Sequence, residues 1–358
     1  MSRRRRRLTR LWCCLFAIGL LVTGTGCVQA PAHRKLYVVN TSDDTLSVVD
    51  LEERRVTHEI RVGYRPFEVR LSPDGNRLYC TVQSTRRLLV IDPLKDEVLD
   101  RIPLPGVPHG LDVSPDGRYV YVALFDRGEL AVVSPENRNV VRRLAVGRWT
   151  HNVVARSGSV YATSILDRRV RKFDEGGLVE TYSFEAGVRP IVVDAEQRTL
   201  FAALEGLHGF TVLDLRTGKL AKRVERPLPP PERRSSVAYI PTHGLALRPG
   251  TRELWVTSFM GDSLMIFDVK TPAEPAYVAE VQVGEAPNNL SFSPDGGQAY
   301  SGNFGSHTVS IVDCAARTEL AELSVGQGPK RALEVRLPWK VPLEELSRRD
   351  VILRPAQR

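Results

Sequence analysis

PFEVRLSPDGNRLYCTVQSTRRLLVIDPLKDEVLDRIPL, residues 66–104, is one copy of a unit that repeats along most of this chain of 358 residues. Four short segments rich in Val, Leu, Ile and Tyr alternate in it with turn residues, which predicts four β-strands, here named A to D in chain order. The Ser-Pro-Asp-Gly turn that follows strand A returns at 114–117 and 293–296. Pro at its second position and Gly at its fourth are typical of a type I turn. Each unit is therefore predicted to be a small antiparallel sheet.

The residue that closes strand C gives the period of the repeat. It recurs at intervals of 42, 42, 40, 40, 54 and 45 residues, which are typical of the four-stranded blades of a β-propeller once one insertion is allowed. The seven positions are Asp50, Asp92, Ser134, Asp174, Asp214, Asp268 and Asp313. The sequence thus predicts an all-β, seven-bladed β-propeller. Because the aspartates recur once per blade, we interpret them as serving the fold and not a catalytic site.

The two ends of the repeat region predict how the propeller closes. The region begins with a strand B at 35–40 that no strand A precedes, and it ends with a strand A at 331–337. One blade is therefore expected to take its innermost strand from the C-terminal end and its outer three strands from the N-terminal end. This 1+3 (Velcro) closure pairs strand edges that would otherwise promote aggregation. The predicted propeller covers residues 34–337, and a tail follows at 338–358.

Two short motifs within the repeat resemble those of a known family. Strand B reads Tyr-Val-Val-Asn at 37–40 and has related sequences in other blades, while Val-Gly-x-x-Pro precedes strand A at 62–66, 283–287 and 325–329. Together they resemble the YVTN-type β-propeller repeats of exported and cell-surface bacterial proteins, similar to the YncE family. The resemblance implies the fold. It leaves activity open, since this repeat serves binding proteins, surface proteins and cofactor-bearing enzyme domains alike.

The first 26 residues have the pattern of an export signal. Six arginines and no acidic residue are followed by an apolar segment of 12 residues, too short to span a bilayer, and by small residues that end at Cys27. This end resembles a bacterial lipobox, which would make Cys27 the lipidated first residue of the mature protein. Cleavage by ordinary signal peptidase after Gly26 or Ala30 is the alternative. Val28 after the cysteine implies the outer membrane, so we expect an exported outer-membrane lipoprotein in which 27–33 form a short tether.

Charge and cysteine content exclude two classes of protein. Without the six leader arginines, 44 basic residues face 42 acidic ones, so composition gives no reason to expect nucleic-acid binding. Cys80 and Cys314 are the two cysteines that follow Cys27, too few for a disulfide framework. We expect both to be small, buried and unpaired side chains.

One structural position supplies candidate functional residues that the fold does not require. If strand A runs from a top face to a bottom face, its first residues surround the top mouth of the central channel. This position holds three of the chain's seven histidines, and its occupants are Phe67, His109, His151, either Arg189 or Ile191, His243, Asn288 and Lys330. His208 and His307 fall on loops between strands B and C at the same face. With Phe67, Asn288 and Lys330 they form a candidate ligand rim.

Three histidines around one channel predict a ligand or metal site. Neutral imidazoles bind transition metals or anionic groups. The resemblance implies the same, since exported seven-bladed propellers of denitrification hold copper clusters or modified haem through central histidines. One ion bound by His109, His151 and His243 would bring their nitrogens within about 4 Å of one another. In the structural alternative, His109 and His243 bond the turn before strand A, while His208 and His307 cap their loops.

A Pro-rich insertion at 225–240 accounts for the interval of 54 residues and lies on the same predicted face. It is a candidate lid or partner contact, with a tolerated surface loop as the alternative. Local catalytic motifs are missing from the sequence: it has no nucleophile elbow, no His-Glu-x-x-His, no P-loop and no dinucleotide fingerprint. This favours a non-catalytic protein.

Two classes of function remain. The first is a monomeric, lipid-anchored binding or scaffold module of the cell envelope, which uses its top face and the 225–240 insertion to bind an envelope protein, a peptide or a glycan. The second is a periplasmic metal- or cofactor-dependent enzyme, of the oxidoreductase or the lactonase and lyase type, which uses the histidine-lined mouth. A stoichiometric transition metal would favour the second.

Overall fold

The computed structural model describes residues 33–231, 234 and 240–337, and its regular structure there consists of β-strands. Three sequence predictions concern segments outside the described residues: the leader with Cys27, most of the tether, and the tail at 338–358. The same holds for residues 232, 233 and 235–239 of the insertion. Within the described part of the chain, no helix is long and apolar enough to cross a membrane.

The described residues form twenty-eight strands, arranged as seven antiparallel sheets of four, here called blades 1 to 7. From the innermost strand outward, blade 1 comprises β28 (Pro329–Leu337), β1 (His33–Asn40), β2 (Thr45–Asp50) and β3 (Arg55–Arg61). Blade 2 comprises β4 (Pro66–Leu71), β5 (Leu78–Val82), β6 (Arg87–Asp92) and β7 (Glu97–Pro103). Blade 3 comprises β8 (Pro108–Val113), β9 (Val120–Leu124), β10 (Glu129–Ser134) and β11 (Asn139–Ala145). Blade 4 comprises β12 (Thr150–Arg156), β13 (Ser159–Ser164), β14 (Arg169–Phe173) and β15 (Leu178–Ser183). Blade 5 comprises β16 (Val188–Val193), β17 (Thr199–Leu204), β18 (Gly209–Asp214) and β19 (Lys219–Glu225). Blade 6 comprises β20 (Thr242–Leu247), β21 (Glu253–Ser258), β22 (Ser263–Asp268) and β23 (Ala276–Gln282). Blade 7 comprises β24 (Pro287–Phe292), β25 (Gln298–Asn303), β26 (Thr308–Asp313) and β27 (Thr318–Ser324).

The blades form a closed ring around a central channel. The innermost strand of each blade contacts the innermost strands of both neighbours, in the order β28, β4, β8, β12, β16, β20, β24 and back to β28. The ring closes where β28 pairs antiparallel with β1, with Leu333 opposite Tyr37. The prediction of an all-β, seven-bladed propeller with 1+3 closure is thus confirmed.

The hydrophobic core lies mainly between neighbouring blades. Strand B of several blades contributes a large aromatic side chain that is fully buried: Tyr37, Tyr79, Tyr161, Trp255 and Tyr300. One hydrophobic cluster joins Tyr37 and Val39 of blade 1 to Val69 and Cys80 of blade 2. Because a repeat of this kind buries its faces against its neighbours, each blade depends on the ring being complete.

The residues that the sequence analysis assigned to the fold serve it as predicted. Gly75 has a positive φ of 74° and donates its N–H to the carbonyl of Ser72, which closes the turn between β4 and β5. The carboxylate of Asp92 accepts a hydrogen bond from the N–H of Leu94 in the turn after β6. The prediction of unpaired, buried cysteines is also confirmed, since Cys80 and Cys314 are both buried free thiols.

Candidate functional site

A β-bulge marks the start of the innermost strand in every blade. In blade 4, Thr150 pairs with Ser164, but the next pair is Val153 with Ala162, so His151 and Asn152 are left out of the regular ladder. The other six blades shift register at the same point. Bulges of this kind re-aim a side chain and are common beside functional sites. The residue at the bulge is therefore free to face the channel mouth instead of packing between blades.

A threonine of strand B stabilises this bulge in three blades. The hydroxyl oxygens of Thr81, Thr163 and Thr257 accept hydrogen bonds from the main-chain N–H of Glu68, Asn152 and Gly244, at 3.1, 3.0 and 2.7 Å. In blades 4 and 6 the bonded N–H belongs to Asn152 or Gly244, residues that the bulge leaves out of the regular ladder. The sequence analysis missed this role. In these three blades the threonine stands two residues after the aromatic residue of strand B, a pattern that is present in the sequence.

Glycines let the innermost strands approach one another closely at the mouth. A Cβ atom on Gly110, which follows His109, would lie 2.8 Å from the carbonyl oxygen of His151. A Cβ atom on Gly244, which follows His243, would lie 2.8 Å from the carbonyl oxygen of Asn288. Distances this short exclude any larger residue without a backbone shift. These two glycines therefore bring the mouth residues of neighbouring blades together.

Seven residues, one from each blade, line a single cavity of about 560 Å³ at the top mouth. These mouth residues are Phe67, His109, His151, Arg189, His243, Asn288 and Lys330. The choice between Arg189 and Ile191 is settled, since Val188 occupies the position that Thr150 and Thr242 hold and Arg189 lines the cavity. A cavity of this size suits a small organic molecule.

The three histidines line this cavity from blade 3 (His109), blade 4 (His151) and blade 6 (His243). The ring centroids of His109 and His151 are 4.1 Å apart, and those of His151 and His243 are 6.2 Å apart. Among the described residues, the group of three potential ligands whose donor atoms all lie within 4.8 Å of one another is a different one, His33 with Asp50 and Glu52. Coordination of one ion by the three mouth histidines stays a prediction, and it requires the rings to move closer.

Burial makes the mouth histidines neutral and leaves two of their nitrogens without a partner. Desolvation, together with the nearby Lys330, holds the pKa values of all three well below their usual range. The Nδ1 atoms of His151 and His243 are buried and have no hydrogen-bond partner within the part of the chain that the structure describes. A buried polar atom without a partner calls for an explanation. These nitrogens do not serve the turn before strand A, so the structural alternative does not account for them.

His208 and His307 have a different environment from the mouth histidines. The Nδ1 of His208 lies 2.8 Å from the carbonyl oxygen of Pro227, and its Nε2 lies 2.8 Å from the hydroxyl of Ser258. The Nδ1 of His307 accepts a hydrogen bond from the N–H of Gly328 at 3.2 Å. Neither residue lines the cavity. Both join loops of neighbouring blades, which differs from the local capping of the structural alternative, and His208 holds the beginning of the Pro-rich insertion.

Lys330 supplies a buried positive charge at the mouth. Its side chain is 6% exposed, and its Nζ lies 3.8 Å from the ring centroid of Phe67. Burial lowers the pKa of Lys330 to about 7, against the attraction of Glu68. Among the described residues, the cavity lining contains Arg65 and Arg189 in addition, and no Asp or Glu. Arg189 is already paired, since its Nη2 lies 3.0 Å from Glu205.

A buried ionic network lies in the channel next to Lys330. Glu68 forms ion pairs with Arg331 at 2.6 Å and with Arg70 at 2.5 Å, and Arg70 in turn lies 3.5 Å from Asp112. With Lys330, this channel network contains three cations and two carboxylates, so one positive charge is left over. Because Glu68 is shared by two guanidinium groups, the uncompensated charge falls to the ammonium group of Lys330.

Aromatic side chains line one side of the mouth. The rings of Phe125 and Trp149 stack with centroids 5.4 Å apart, and those of His109 and Phe125 stack at 5.6 Å. The ring of Phe67 lies 3.9 Å from that of His109. Trp149 is 45% exposed although it is a large apolar side chain. The cavity thus combines a cationic floor with an aromatic wall that is open to solvent.

Comparison with known proteins supports the fold. No protein-family model matches the chain, and no curated protein matches it. The chain is similar to a solved structure of hydrazine synthase from Kuenenia stuttgartiensis, with a TM-score of 0.68 and 20% identity over 84% of this chain and 99% of that one. It is similar to a functionally unknown protein from Desulfotomaculum acetoxidans DSM 771, with a TM-score of 0.71 and 10% identity over 85% and 99% of the two chains. The dihydro-heme d1 dehydrogenase NirN gives a TM-score of 0.59 and 14% identity over 84% of this chain and 74% of that one. Identities this low carry over the fold and not the activity.

Proposed function

We propose that this protein is a non-catalytic binding protein of the cell envelope, anchored by a lipid on Cys27, whose top-face cavity binds a small organic anion. The observation that carries this proposal is the position of Lys330, a buried ammonium group in a cavity where the described part of the lining contains no carboxylate. A buried charge without a full partner costs several kcal/mol. An anion that enters the cavity supplies that partner. A larger partner, such as an envelope protein, a peptide or a glycan, would have to present an anionic group to the same cavity.

Neutral groups of the mouth complement the charge of Lys330. A neutral imidazole offers one donor and one acceptor nitrogen, and the roles adapt to the ligand. The Nδ1 atoms of His151 and His243 are buried and without a partner, and the buried amide of Asn288 lines the same cavity. These groups suit the oxygen atoms of an anion, because they bond it without the cost of burying further charge.

We expect Lys330→Met to remove the preference of the cavity for an anion. The probes are 2-naphthoate and its neutral analogue 2-naphthamide, bound to the full-length Cys27→Ala protein and measured by titration calorimetry. A hydrogen bond to a charged group contributes about 1.5–3 kcal/mol, so the naphthoate affinity should fall about 10- to 100-fold while the naphthamide affinity stays the same. If Lys330→Met binds naphthoate as well as the parent protein does, the proposed site is wrong.

Lys330→Arg is the matched control, because it keeps the positive charge at this position and replaces the ammonium group by one that does not lose its proton near pH 7. Since the pKa of Lys330 is about 7 in the free protein, the ammonium group must take up a proton before it binds an anion at higher pH. Naphthoate affinity should therefore fall by up to tenfold per pH unit above pH 7 in the parent protein. The other charges that act on Lys330, namely Glu68, Arg65, Arg189 and Arg331, are unchanged in this variant. An arginine stays protonated, so Lys330→Arg should lose this pH dependence.

Cys27→Ala tests the anchor. The thiol is the expected site of lipid attachment, so its removal should move the protein from the membrane fraction to the soluble periplasmic fraction. Fractionation followed by immunoblotting measures this shift. Cys80→Ala serves as the control, because it removes a buried thiol of the propeller and leaves the membrane association unchanged. A Cys27→Ala protein that stays at the membrane would show that the leader does not end in a lipid anchor.

The second candidate function is a periplasmic metal- or cofactor-dependent enzyme. Two unpartnered Nδ1 atoms in one cavity favour it, since imidazole nitrogens are common ligands of transition metals. Elemental analysis of the purified full-length protein distinguishes the two functions. One equivalent of copper, iron or zinc that His151→Ala abolishes would replace the binding-protein proposal with this one.

A further inference from the structure

We infer that the anion bound at the mouth is an aromatic monocarboxylate, which stacks on Trp149 and Phe125 and places its carboxylate on Lys330. This inference rests on the proposed function, because it names the class of ligand for the same cavity. Two features of the mouth carry it: a continuous aromatic wall that ends in an exposed tryptophan, and the net charge of the channel floor.

The aromatic wall extends from solvent to the charged floor. Trp149 stacks on Phe125 with an angle of 23° between the ring planes, and Phe125 stacks on His109 with an angle of 21°. His109 contacts Phe67, and the ring of Phe67 lies beneath the ammonium group of Lys330. Offset stacking adds to the burial of area when a planar ring meets such a wall. We therefore expect a flat aromatic ligand to stack on this wall with its carboxylate directed toward Lys330.

The backbone at Trp149 has a conformation that a tryptophan does not favour. Its φ is +57°, and the residue directly before the innermost strand also has a positive φ in blades 1, 2 and 7, where it is Gly328 (+62°), Arg65 (+61°) and Ala286 (+52°). A positive φ costs a bulky residue free energy that glycine does not lose. Because the same conformation recurs in several blades, it belongs to the turn of the fold. The indole ring of Trp149 is 45% exposed, so it offers a ligand an open aromatic surface at the mouth.

The charge of the floor selects a single negative charge. The channel network of Lys330, Glu68, Arg331, Arg70 and Asp112 has one positive charge in excess, Arg189 is paired with Glu205, and Arg65, which also lines the cavity, is exposed to solvent that screens its charge. One carboxylate neutralises that excess. A phosphate with two charges would leave one of them unpaired close to buried groups, which is costly. The floor thus favours a monocarboxylate over a phosphorylated ligand.

The test compares three probes that differ in one property each: 2-naphthoate, decalin-2-carboxylate, which has the charge without the aromatic rings, and 2-naphthamide, which has the rings without the charge. The full-length Cys27→Ala protein should bind naphthoate about 3- to 10-fold more tightly than decalin-2-carboxylate, the range expected for aromatic stacking. Trp149→Leu should abolish this preference, because it weakens the binding of naphthoate more than that of decalin-2-carboxylate. Tyr277→Leu, which removes an exposed aromatic side chain from the outer strand β23, is the matched control and should keep the preference.

The outcomes separate this inference from the proposed function. If both carboxylates bind equally and naphthamide binds more weakly, the aromatic ligand class is wrong while the anion site stands. If naphthamide binds as tightly as naphthoate, the anion site itself is wrong, and the inference falls with it. A naphthoate preference that survives in Trp149→Leu overturns the role of the tryptophan wall. Binding of none of the three probes at millimolar concentration overturns both.

Discussion

A chain that ends at Gly328 is expected not to fold. The truncation removes β28, the innermost strand of blade 1, which pairs with β1 over eight residue pairs and packs against the innermost strands of blades 2 and 7. It takes away buried apolar side chains such as Ala332, Val335 and Leu337 and exposes the ladder edge of β1. Each large apolar side chain contributes about 1.5–3 kcal/mol. Together with the lost sheet hydrogen bonds, this loss amounts to a large part of the net stability of a domain, which is roughly 5–15 kcal/mol.

The matched control is a chain that ends at Leu337, which keeps β28 and removes the same tail beyond it. We expect this control to unfold cooperatively on heating and to elute as a monomer. The chain ending at Gly328 should lack a cooperative transition and should aggregate, because the free edge of β1 is open to pairing with another chain. Circular dichroism melts and size-exclusion chromatography measure both properties. A folded, monomeric Gly328 protein would contradict the 1+3 closure as the source of stability.

The fold and the position of the mouth residues were predictable because the repeat is regular. Once the closing residue of strand C sets the period, the first residue of each strand A follows by counting, which placed His109, His151 and His243 at one position. Blade 5 was ambiguous for a local reason. Val188 stands where blades 2 and 3 have proline, and Pro190 follows Arg189, so the proline that marks the start of strand A elsewhere gave no unique register there.

The contacts between distant blades could not be predicted from the repeat. Glu68 and Arg331 are 263 residues apart in sequence, and they pair because ring closure makes blades 1 and 2 neighbours. The period says where each strand begins, but it does not say which side chains of different blades meet once the ring closes. For the same reason the aromatic wall that Trp149 and Phe125 form with His109 was not foreseen. The contacts of His208 with Ser258 and of His307 with Gly328 also join different blades, so the local capping that the sequence offered as an alternative did not predict them.

The buried pair of Glu68 and Arg331 leads to the second large expected effect, a loss of stability of about 3–5 kcal/mol in Glu68→Gln. Glu68 is 4% exposed, and burial alone would raise its pKa. Arg331 and Arg70 instead hold the pKa below its usual value of 4.5. Glutamine keeps the shape and removes the charge, so the remaining network has three cations and one carboxylate, Asp112. The unpaired positive charges are then buried without compensation.

Denaturant unfolding of the parent protein, Glu68→Gln, Arg331→Met and the double variant measures this effect as a double-mutant cycle. The double variant removes both charges, so it should be more stable than Glu68→Gln alone, although Arg70 and Lys330 remain.

The pH dependence of this stability difference has a definite sign. Because the folded-state pKa of Glu68 is lowered, its contribution is present above pH 4.5 and is lost as the pH falls through the folded-state pKa. The difference between the parent protein and Glu68→Gln should therefore shrink below pH 4.5. A stability loss under about 1 kcal/mol at pH 7 would mean that the pair behaves like an exposed one. The assignment of an excess positive charge to Lys330 would then lose its basis, because it assumes a buried ionic network.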